Sequence, residues 1–404
     1  MLTVLHPEMI YALKDFYAGI WPRQMPDGSM ALIVKCTKES ILAAKIIGGI
    51  RLYIVPAPEG APGCAGVITA FFDDEDEPLT LTSPLFERDP FATDVVALLE
   101  REAFDVHLVD ENNHELLGYH ARNPAFMRFQ KLAPQLKLSQ FSLERARDLH
   151  NYMGKWFGLR TVADDDNAFS IEFAEPLFPE DIFIADVLNS GARFHAAKPF
   201  LHTTLERRDA GPLQEMDIVR LLQRTFPAEQ IYLNPMRTDH PGLEFVDVMV
   251  LTDNYLYLLQ AKDSPNTEPM MRRTVERKRA TSLAHLAKAV SQIGGAINHA
   301  RSVEPITLTT GSTTHKVSVQ SRTIIGIAVL KEMFDADATA YAEPVLKLVE
   351  DEQVPCVVMD YAQLHAFTLN LTTETAFLDG IQAALDAALK NGIFPRLRFG
   401  LIEE

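Results

Sequence analysis

Cysteine is scarce in this sequence. Three cysteines occur in 404 residues, at Cys36, Cys64 and Cys356, and no two of them form a CxxC pair. Such wide spacing argues against a disulfide framework and against a zinc site, and it is typical of proteins from a reducing compartment.

Long apolar runs and targeting signals are also lacking. No segment reaches the roughly 18 consecutive apolar residues that a helix needs to span a bilayer. The opening residues, MLTVLHPEMIYALKDF, have neither the basic flank nor the unbroken apolar stretch of a signal peptide. We therefore expect a cytoplasmic protein with no membrane partner.

Several widespread catalytic motifs do not occur. The chain contains no GxxxxGK phosphate loop, no HExxH zinc motif, no GxSxG nucleophile elbow and no dinucleotide fingerprint. If a nucleotide-driven motor acts with this protein, we expect that motor to be a separate partner protein. A homo-oligomer is equally compatible with the sequence.

Positive charge is in the minority, and it is unevenly placed. The formal net charge is −17, whereas proteins that bind phosphate backbones are usually basic. Between Lys262 and Arg301, however, eight Lys and Arg residues stand against three Asp and Glu residues. This stretch is therefore locally positive in an acidic chain, and it is a place where a polyanion could bind.

The length and patterning predict an α/β protein with two domains. Residues 1–205 contain the short β-rich runs MALIVKC, RLYIVPA, AGVITAFF and LTLTSPL, the predicted hairpin FDVHLVDENNHELLGYH, and the helices PAFMRFQKLAPQL and SLERARDLHNYMGKWFGL. They contain no chemical motif, so we expect a mixed α/β domain of unknown role, for which regulation and sensing are candidates. Residues 206–404 form a second domain, which we expect to fold independently. Its predicted order is a helix, three strands, a long helix and a further strand, with these segments: PLQEMDIVRLLQRTF, QIYLNP, EFVDVMVL, NYLYLLQAK, residues 274–301 and TIIGIAVL.

The candidate chemistry lies on the two strands of the predicted hairpin. Gln260 and Lys262 are two residues apart and so share one face of their strand. Folding the hairpin about residues 252–254 places Asp247, within the strand EFVDVMVL, opposite about residue 259. Ionisable groups inside apolar strands need a partner or a metal. The simple interpretation is an internal Asp247–Lys262 ion pair. The alternative is a divalent cation held by Asp247 and the Gln260 carbonyl, with Lys262 beside the attacking water.

Two glutamates are further candidates for this site. Glu215 precedes Ile218, Val219 and Leu222 on one helix face, so its carboxylate projects from the apolar side. It could instead be an acid that complements the helix dipole after Pro212. Glu244 lies three residues before Asp247 and reaches the site only if the strand start twists or bulges.

These residues and this order of elements resemble the PD-(D/E)xK nuclease superfamily, over residues 206–365. Asp247 and the sequence Gln260-Ala261-Lys262 are similar to its metal and catalytic positions, in the QxK form of Mrr-like restriction endonucleases. A weaker resemblance is to the Shedu-type antiphage nucleases. The resemblance implies a restriction-endonuclease-like core, in which Asp247, Gln260 and Glu215, with Glu244 as a further candidate, hold Mg²⁺ or Mn²⁺.

The long helix after the motif predicts a nucleic-acid-binding face, although a charge run is also typical of a solvated surface. An exposed stripe carries His285, Lys288, Gln292 and His299, opposite an apolar stripe. The expected binding residues are Arg272, Arg273, Arg277, Lys278, Arg279, Lys288 and Gln292.

Taken together, the resemblance implies a metal-dependent hydrolase that cleaves phosphodiester bonds as an endonuclease. DNA is expected over RNA as the substrate, in restriction or antiviral defence. The alternative is a protein that keeps the nuclease fold without turnover and acts as a nucleic-acid-binding or interaction protein.

Overall fold

The chain folds into two compact units, each with its own mixed sheet and helices. The computed structural model describes residues 1–14, 16–25, 27–58, 63–74, 77–187, 194–197 and 200–396. Unit 1 contains residues 1–184, 203–207 and 266–273, and unit 2 contains residues 185–202, 208–265 and 274–404. The division differs from one boundary between residues 205 and 206, because residues 185–202 belong to unit 2 whereas residues 206–207 and 266–273 belong to unit 1.

Unit 1 is built around an eight-stranded sheet with the strand order β1-β2-β6-β7-β8-β3-β4-β5. Only β2 and β6 pair in parallel, and the other neighbours are antiparallel. The elements are α1 (Leu2–Leu5), α2 (Glu8–Leu13), β1 (Gly19–Gln24), β2 (Met30–Lys35), α3 (Lys38–Ile47), β3 (Gly49–Pro56), β4 (Cys64–Phe71), β5 (Leu79–Pro84), α4 (Pro90–Leu99), β6 (Ala103–Val109), β7 (Glu115–Arg122), α5 (Phe126–Leu132), α6 (Leu143–Gly158), α7 (Val162–Asp166) and β8 (Phe169–Pro176).

Unit 2 centres on a five-stranded sheet with the strand order β11-β13-β14-β17-β18. Its elements, together with the short unit 1 helix α9, are β9 (Ile184–Val187), β10 (Phe200–Thr203), α8 (Gly211–Leu222), β11 (Ile231–Leu233), β12 (Met236–Arg237), β13 (Val248–Leu251), β14 (Tyr255–Lys262), α9 (Glu268–Met271), α10 (Val275–Ser302), β15 (Ile306–Thr310), β16 (Thr313–Val317), β17 (Thr323–Leu330), α11 (Ala338–Glu352), β18 (Cys356–Asp360), α12 (Tyr361–Asn370) and α13 (Glu374–Asn391).

The central strands of unit 2 run antiparallel from β11 to β14 and parallel from β14 to β18. Strand β14 is therefore buried between an antiparallel and a parallel neighbour, which explains its nearly continuous apolar sequence. The long helix α10 packs its Leu286, Ile293 and Ile297 into the core beside this sheet. The carboxyl ends of β14, β17 and β18 consequently lie at one edge of the sheet.

The expected elements occur in the expected order, but two strand boundaries were wrong. The segment EFVDVMVL is a strand only from Val248, and Asp247 immediately precedes it. The strand expected over QIYLNP also ends early, at Leu233. A proline has no N–H to donate to a ladder, so Pro235 does not continue that strand. The hairpin β15–β16 and the helix α12 were not predicted. Among the described residues, no helix is both long and apolar enough to cross a membrane.

A buried ionic network holds the hairpin between β6 and β7 in unit 1. The Lys38 ammonium lies 2.5 Å from Asp110 Oδ2 and 3.6 Å from Glu111 Oε1, and His114 Nδ1 lies 2.9 Å from Asp110 Oδ2. Asp110 is fully buried, and Glu111 is 7% exposed. Glu111 Oε2 has no hydrogen-bond partner within the described part of the chain. Burial raises the pKa of Glu111 to about 7, and the nearby Asp110 carboxylate adds to this rise while Lys38 opposes it.

We predict that Glu111→Gln removes a pH dependence of unit 1. Because the pKa of Glu111 is higher in the folded protein than in the unfolded chain, the folded state binds the extra proton between about pH 4.5 and 7. The free energy of unfolding of the wild type should therefore fall as the pH rises through this range, by on the order of 2 kcal/mol relative to Glu111→Gln. Both tryptophans, Trp21 and Trp156, lie in unit 1, so urea unfolding followed by tryptophan fluorescence reports on this unit.

The exposed Glu87→Gln is the matched control for this measurement. Parallel stability curves for the wild type and Glu111→Gln across this pH range would show that Glu111 is not held protonated by the fold.

Candidate functional site

Three polar residues lie in register across the antiparallel strands of unit 2. Leu233 pairs with Val248, and Val248 pairs with Leu259, so the next position on each strand brings together Asn234, Asp247 and Gln260. The Asn234 N–H donates to the Asp247 carbonyl at 2.8 Å, one step beyond the regular ladder. Asp247 therefore lies opposite residue 260, one residue from the expected position. We call Asn234, Asp247 and Gln260 the polar row.

The Asp247 carboxylate accepts hydrogen bonds from three consecutive positions of β14. Gln260 Nε2 donates to Oδ1 at 2.6 Å, the Ala261 N–H donates to Oδ2 at 2.8 Å, and Lys262 Nζ donates to Oδ2 at 3.2 Å. Asp247 is 5% exposed and Gln260 is 2% exposed. A buried carboxylate is stable only when its charge is met in this way. The expected convergence of one carboxylate, one amide and one ammonium is present in the structure.

Lys262 ends β14 and is anchored by its own strand. Its ammonium donates to the Ala261 carbonyl at 2.7 Å as well as to Asp247, and its side chain is 13% exposed. The adjacent parallel strand continues the same edge, because the Lys331 N–H donates to the Lys262 carbonyl at 3.0 Å. The Lys331 ammonium donates in turn to the Ser264 carbonyl at 3.2 Å. Sequence reasoning missed Lys331, which lies just beyond the strand TIIGIAVL.

Glu215 projects from α8 toward the polar row. Asn234 Nδ2 donates to Glu215 Oε2 at 2.9 Å. Burial raises the pKa of Glu215, and the negative charges of Asp247 and Glu244 add to the rise, while the Asn234 hydrogen bond and Lys262 oppose it. Because α8 begins at Gly211 and has no acid in its first turn, the alternative of a first-turn dipole residue does not hold.

Glu244 lies near the same charges but outside the regular sheet. It forms an isolated bridge with Met236, and the strand β13 begins only at Val248. Burial raises the pKa of Glu244, Asp247 raises it further, and Lys262 opposes the rise. The irregular strand start that Glu244 needs is therefore present, although the side chain is exposed.

The donor atoms at the polar row are those that a hard divalent cation prefers. Two buried amide oxygens, Gln260 Oε1 and Asn234 Oδ1, have no hydrogen-bond partner in the described ranges. With the carboxylates of Asp247 and Glu215 they form an all-oxygen set, which suits Mg²⁺ or Mn²⁺. Within the described residues, no group of three His, Cys, Asp or Glu residues could hold a metal. A site here would therefore depend on neutral amide oxygens.

The expected nucleic-acid-binding residues fall into different environments. Arg272 and Arg273 belong to unit 1, whereas Arg277 and the later residues belong to helix α10 of unit 2. Arg272 is paired with Glu268 at 2.7 Å, and Arg279 donates to both oxygens of Asp337 at 2.7 and 2.6 Å. Five of the expected residues are exposed along the helix or just before it: Arg272, Arg273, Arg277, Lys288 and Gln292. Lys278 is half-buried.

The predicted stripe on α10 is correct only in part. His285 is half-buried, and its pKa is lowered by burial first and then by the positive charges of Lys262, Lys288 and Lys331. This places a positive region on α10 beside Lys262. His299, in contrast, is only 7% exposed, so it does not belong to the exposed stripe.

Asn234 is the site residue that sequence reasoning missed. Its backbone has φ +47°, a left-handed conformation that residues other than glycine adopt at a cost. Asparagine is one of the few side chains that tolerates it, and the dipeptide Asn-Pro is a turn signal. The signal was therefore present, but it was interpreted as the end of a strand.

Comparison with known proteins adds no family to this description. The chain matches no protein-family model, no curated protein and no solved structure. The function has to be inferred from the polar row, Glu215 and Lys262.

We predict that Asp247→Ala destabilises unit 2 by about 3 kcal/mol, because it leaves Lys262 Nζ, Gln260 Nε2 and the Ala261 N–H without their shared acceptor. Urea unfolding followed by far-UV circular dichroism would measure the loss. Asp253→Ala, at an exposed position in the adjacent hairpin turn, is the control and should change stability by less than about 0.5 kcal/mol. Equal effects of the two substitutions would mean that the three donors do not depend on this carboxylate.

Proposed function

We propose that this protein is a metal-dependent nuclease that hydrolyses phosphodiester bonds, with its active site in unit 2. The observation that carries the proposal is the convergence of Asp247, Gln260 and Lys262 at the buried end of one hairpin, with Glu215 held beside them through Asn234. The order of helices and strands around this site supports a restriction-endonuclease-like core. Mg²⁺ or Mn²⁺ is the proposed cofactor.

The proposed metal ligands are Asp247, Gln260 and Glu215, with Glu244 as a nearby acid. A cation bound there supplies positive charge next to a phosphate and lowers the pKa of water. The Gln260 amide now directs its N–H group at Asp247 and leaves Oε1 without a partner. A half-turn of this amide group exchanges Nε2 and Oε1, so that Oε1 would face the cation. The raised pKa of Glu215 then falls on binding, because a cation stabilises its charged form.

Lys262 is the proposed catalytic cation. Its ammonium is held between Asp247 Oδ2 and the Ala261 carbonyl, so it is fixed at the edge of the metal ligands. A positive charge at this position can orient a water molecule and offset the negative charge that develops on the phosphate. The fixed geometry limits the reorganisation that the reaction requires.

The proposed substrate is nucleic acid, with DNA favoured over RNA by the resemblance to restriction endonucleases. Lys288 on α10 and Lys331 after β17 add positive charge beside His285 and Lys262 in a chain of net charge −17. Arg277 is an exposed cation earlier on the same helix. We propose restriction or antiviral defence in the cytoplasm as the setting, and a sensing or regulatory role for unit 1. These two proposals depend on the nuclease activity.

A second candidate function is a nucleic-acid-binding or interaction protein without turnover. It is favoured by the complete set of hydrogen bonds to Asp247, which is satisfied without any cation. The QxK form also has one negative charge fewer than the acidic form of the motif, which weakens the attraction for a cation. Measuring Mg²⁺ binding by calorimetry on the wild type and on Asp247→Asn separates the two candidates.

We predict that Lys262→Met abolishes cleavage while the protein still folds and binds DNA. Methionine keeps most of the side-chain volume but removes the charge, so hydrolysis should fall by at least a factor of about 100. Nicking of a supercoiled plasmid in Mg²⁺, in Mn²⁺ and in EDTA is the measurement. Lys347→Met, at an exposed lysine on α11, is the control and should cleave like the wild type.

The companion variant Gln260→Glu restores the acidic form of the motif. It should bind Mg²⁺ more tightly than the wild type and keep some activity. Wild-type cleavage by Lys262→Met would exclude the proposed mechanism, and absence of cleavage by the wild type under all metal conditions would favour the non-catalytic candidate.

We predict that the exposed basic residues of α10 bind phosphate groups and that the paired ones do not. Arg277→Gln with Lys288→Gln should weaken duplex binding and reduce the slope of log Kd against log salt by about 0.9 for each lost contact. Arg279→Gln should leave this slope unchanged, because Arg279 is held by Asp337. Fluorescence anisotropy in EDTA at several salt concentrations measures binding without cleavage. Equal slopes for all three proteins would place the nucleic-acid surface elsewhere.

A further inference from the structure

Asn234 combines three observations that a simple turn residue does not explain. Its backbone is in the left-handed region, its Nδ2 donates to Glu215 Oε2 at 2.9 Å, and its buried Oδ1 has no hydrogen-bond partner in the part of the chain that the structure describes. A buried amide oxygen without a partner is unfavourable in a folded protein. Backbone strain and unsatisfied polar atoms are both found where a site binds a ligand.

The position of Asn234 in the sheet gives this oxygen a specific neighbourhood. The backbone hydrogen bond from Asn234 to the Asp247 carbonyl fixes it one strand away from Asp247, as Gln260 is on the other side. Gln260 is 2% exposed, and its Oε1 also lacks a partner among the described residues. Two unsatisfied amide oxygens thus flank one carboxylate in the polar row. The Asn234 oxygen is an observation independent of the motif that led to Asp247, Gln260 and Lys262.

We propose that Asn234 is itself a metal ligand, which supplies its side-chain oxygen to the same divalent cation as Asp247 and Gln260. The Asn234 side-chain amide meanwhile donates from Nδ2 to Glu215 Oε2 and so keeps Glu215 turned toward the cation. The site thereby has two carboxylates and two neutral oxygens, a set that suits a hard cation with six oxygen ligands completed by water. This inference rests on the proposed metal site and names an additional ligand for it.

Two substitutions separate a ligand from a residue that only positions Glu215. Asn234→Gly keeps the left-handed backbone without strain and removes the amide. Asn234→Asp keeps an oxygen for the cation but removes the hydrogen-bond donor and adds a negative charge beside Glu215. If Asn234 only positions Glu215, Asn234→Asp should bind metal no better than Asn234→Gly. If Asn234 is a ligand, Asn234→Asp should bind metal more tightly than Asn234→Gly.

Mn²⁺ is the probe, and the concentration of free Mn²⁺ is measured by electron paramagnetic resonance on the full-length protein. We expect the Kd of Asn234→Gly for Mn²⁺ to rise at least tenfold, and that of Asn234→Asp to equal the wild-type value or fall below it. Gln353→Gly, at an exposed left-handed position with φ +51°, is the control and should bind Mn²⁺ like the wild type. Thermal unfolding by circular dichroism verifies that each variant is folded.

Wild-type affinity in Asn234→Gly, or binding by Asn234→Asp that is no tighter than binding by Asn234→Gly, would overturn the inference while leaving the nuclease proposal intact. A wild-type protein that binds no Mn²⁺ would overturn both. Mn²⁺ binding in the expected order without plasmid cleavage would support the inference and reject the nuclease function.

Discussion

The polar edge of unit 2 depends on the burial of one carboxylate, Asp247, between two antiparallel neighbours. Its charge requires donors, and β14 supplies three in succession through a side-chain amide, a backbone N–H and an ammonium. This requirement fixes the register of the hairpin, because a shift by one residue would turn Gln260 and Lys262 to the other face. Burial raises the pKa of Glu215 and of Glu244, and the charge of the same carboxylate raises both further.

Charged and polar groups therefore converge from three directions at this edge of the sheet. The antiparallel strands bring the acid and the amides, Lys331 follows the parallel strand β17, and α10 brings Lys288 and the polar side chain of His285. Acidic and basic groups occupy adjacent parts of one edge. The proposed hydrolysis of a phosphodiester relies on this arrangement, with a cation at one side of the phosphorus and positive side chains along the strand that continues from it.

The sequence predicted most of the core of unit 2 because its elements have clear periodicity. The bounds of β14, α10 and β17 agree with the predicted segments to within about two residues, since each segment is long and apolar on a consistent face. The start of β13 was predicted too early, because the position of Asp247 after Phe245 and Val246 does not reveal whether Asp247 still pairs within the sheet. Asn234 was missed for a related reason. Its role depends on a partner in α8 and on a register across strands, and neither is encoded locally.

In unit 1 the sequence predicted individual strands but not their arrangement. The segments that became β2, β3 and β4 and the hairpin of β6 and β7 were recognisable, whereas the order of eight strands depends on long-range pairing. The buried charges of this unit were also hidden. Lys38 has ordinary surface-like neighbours in the sequence, and only the fold brings it against Asp110 and Glu111.

The path of the chain between the two units has a consequence for how the protein can be divided. Residues 203–207 and 266–273 fold with unit 1, and Asn266, which is 1% exposed, donates to the Leu205 carbonyl at 2.9 Å. The second of these segments is inserted between β14 and α10, so the halves of the candidate nuclease core are interrupted by a piece of the other unit. A break in the backbone after Arg207 gives two fragments. The N-terminal fragment keeps residues 185–202, which belong to unit 2, and the C-terminal fragment keeps residues 266–273, which belong to unit 1. Neither fragment is then a whole domain, and the two together are the smallest set of chains that contains both folds.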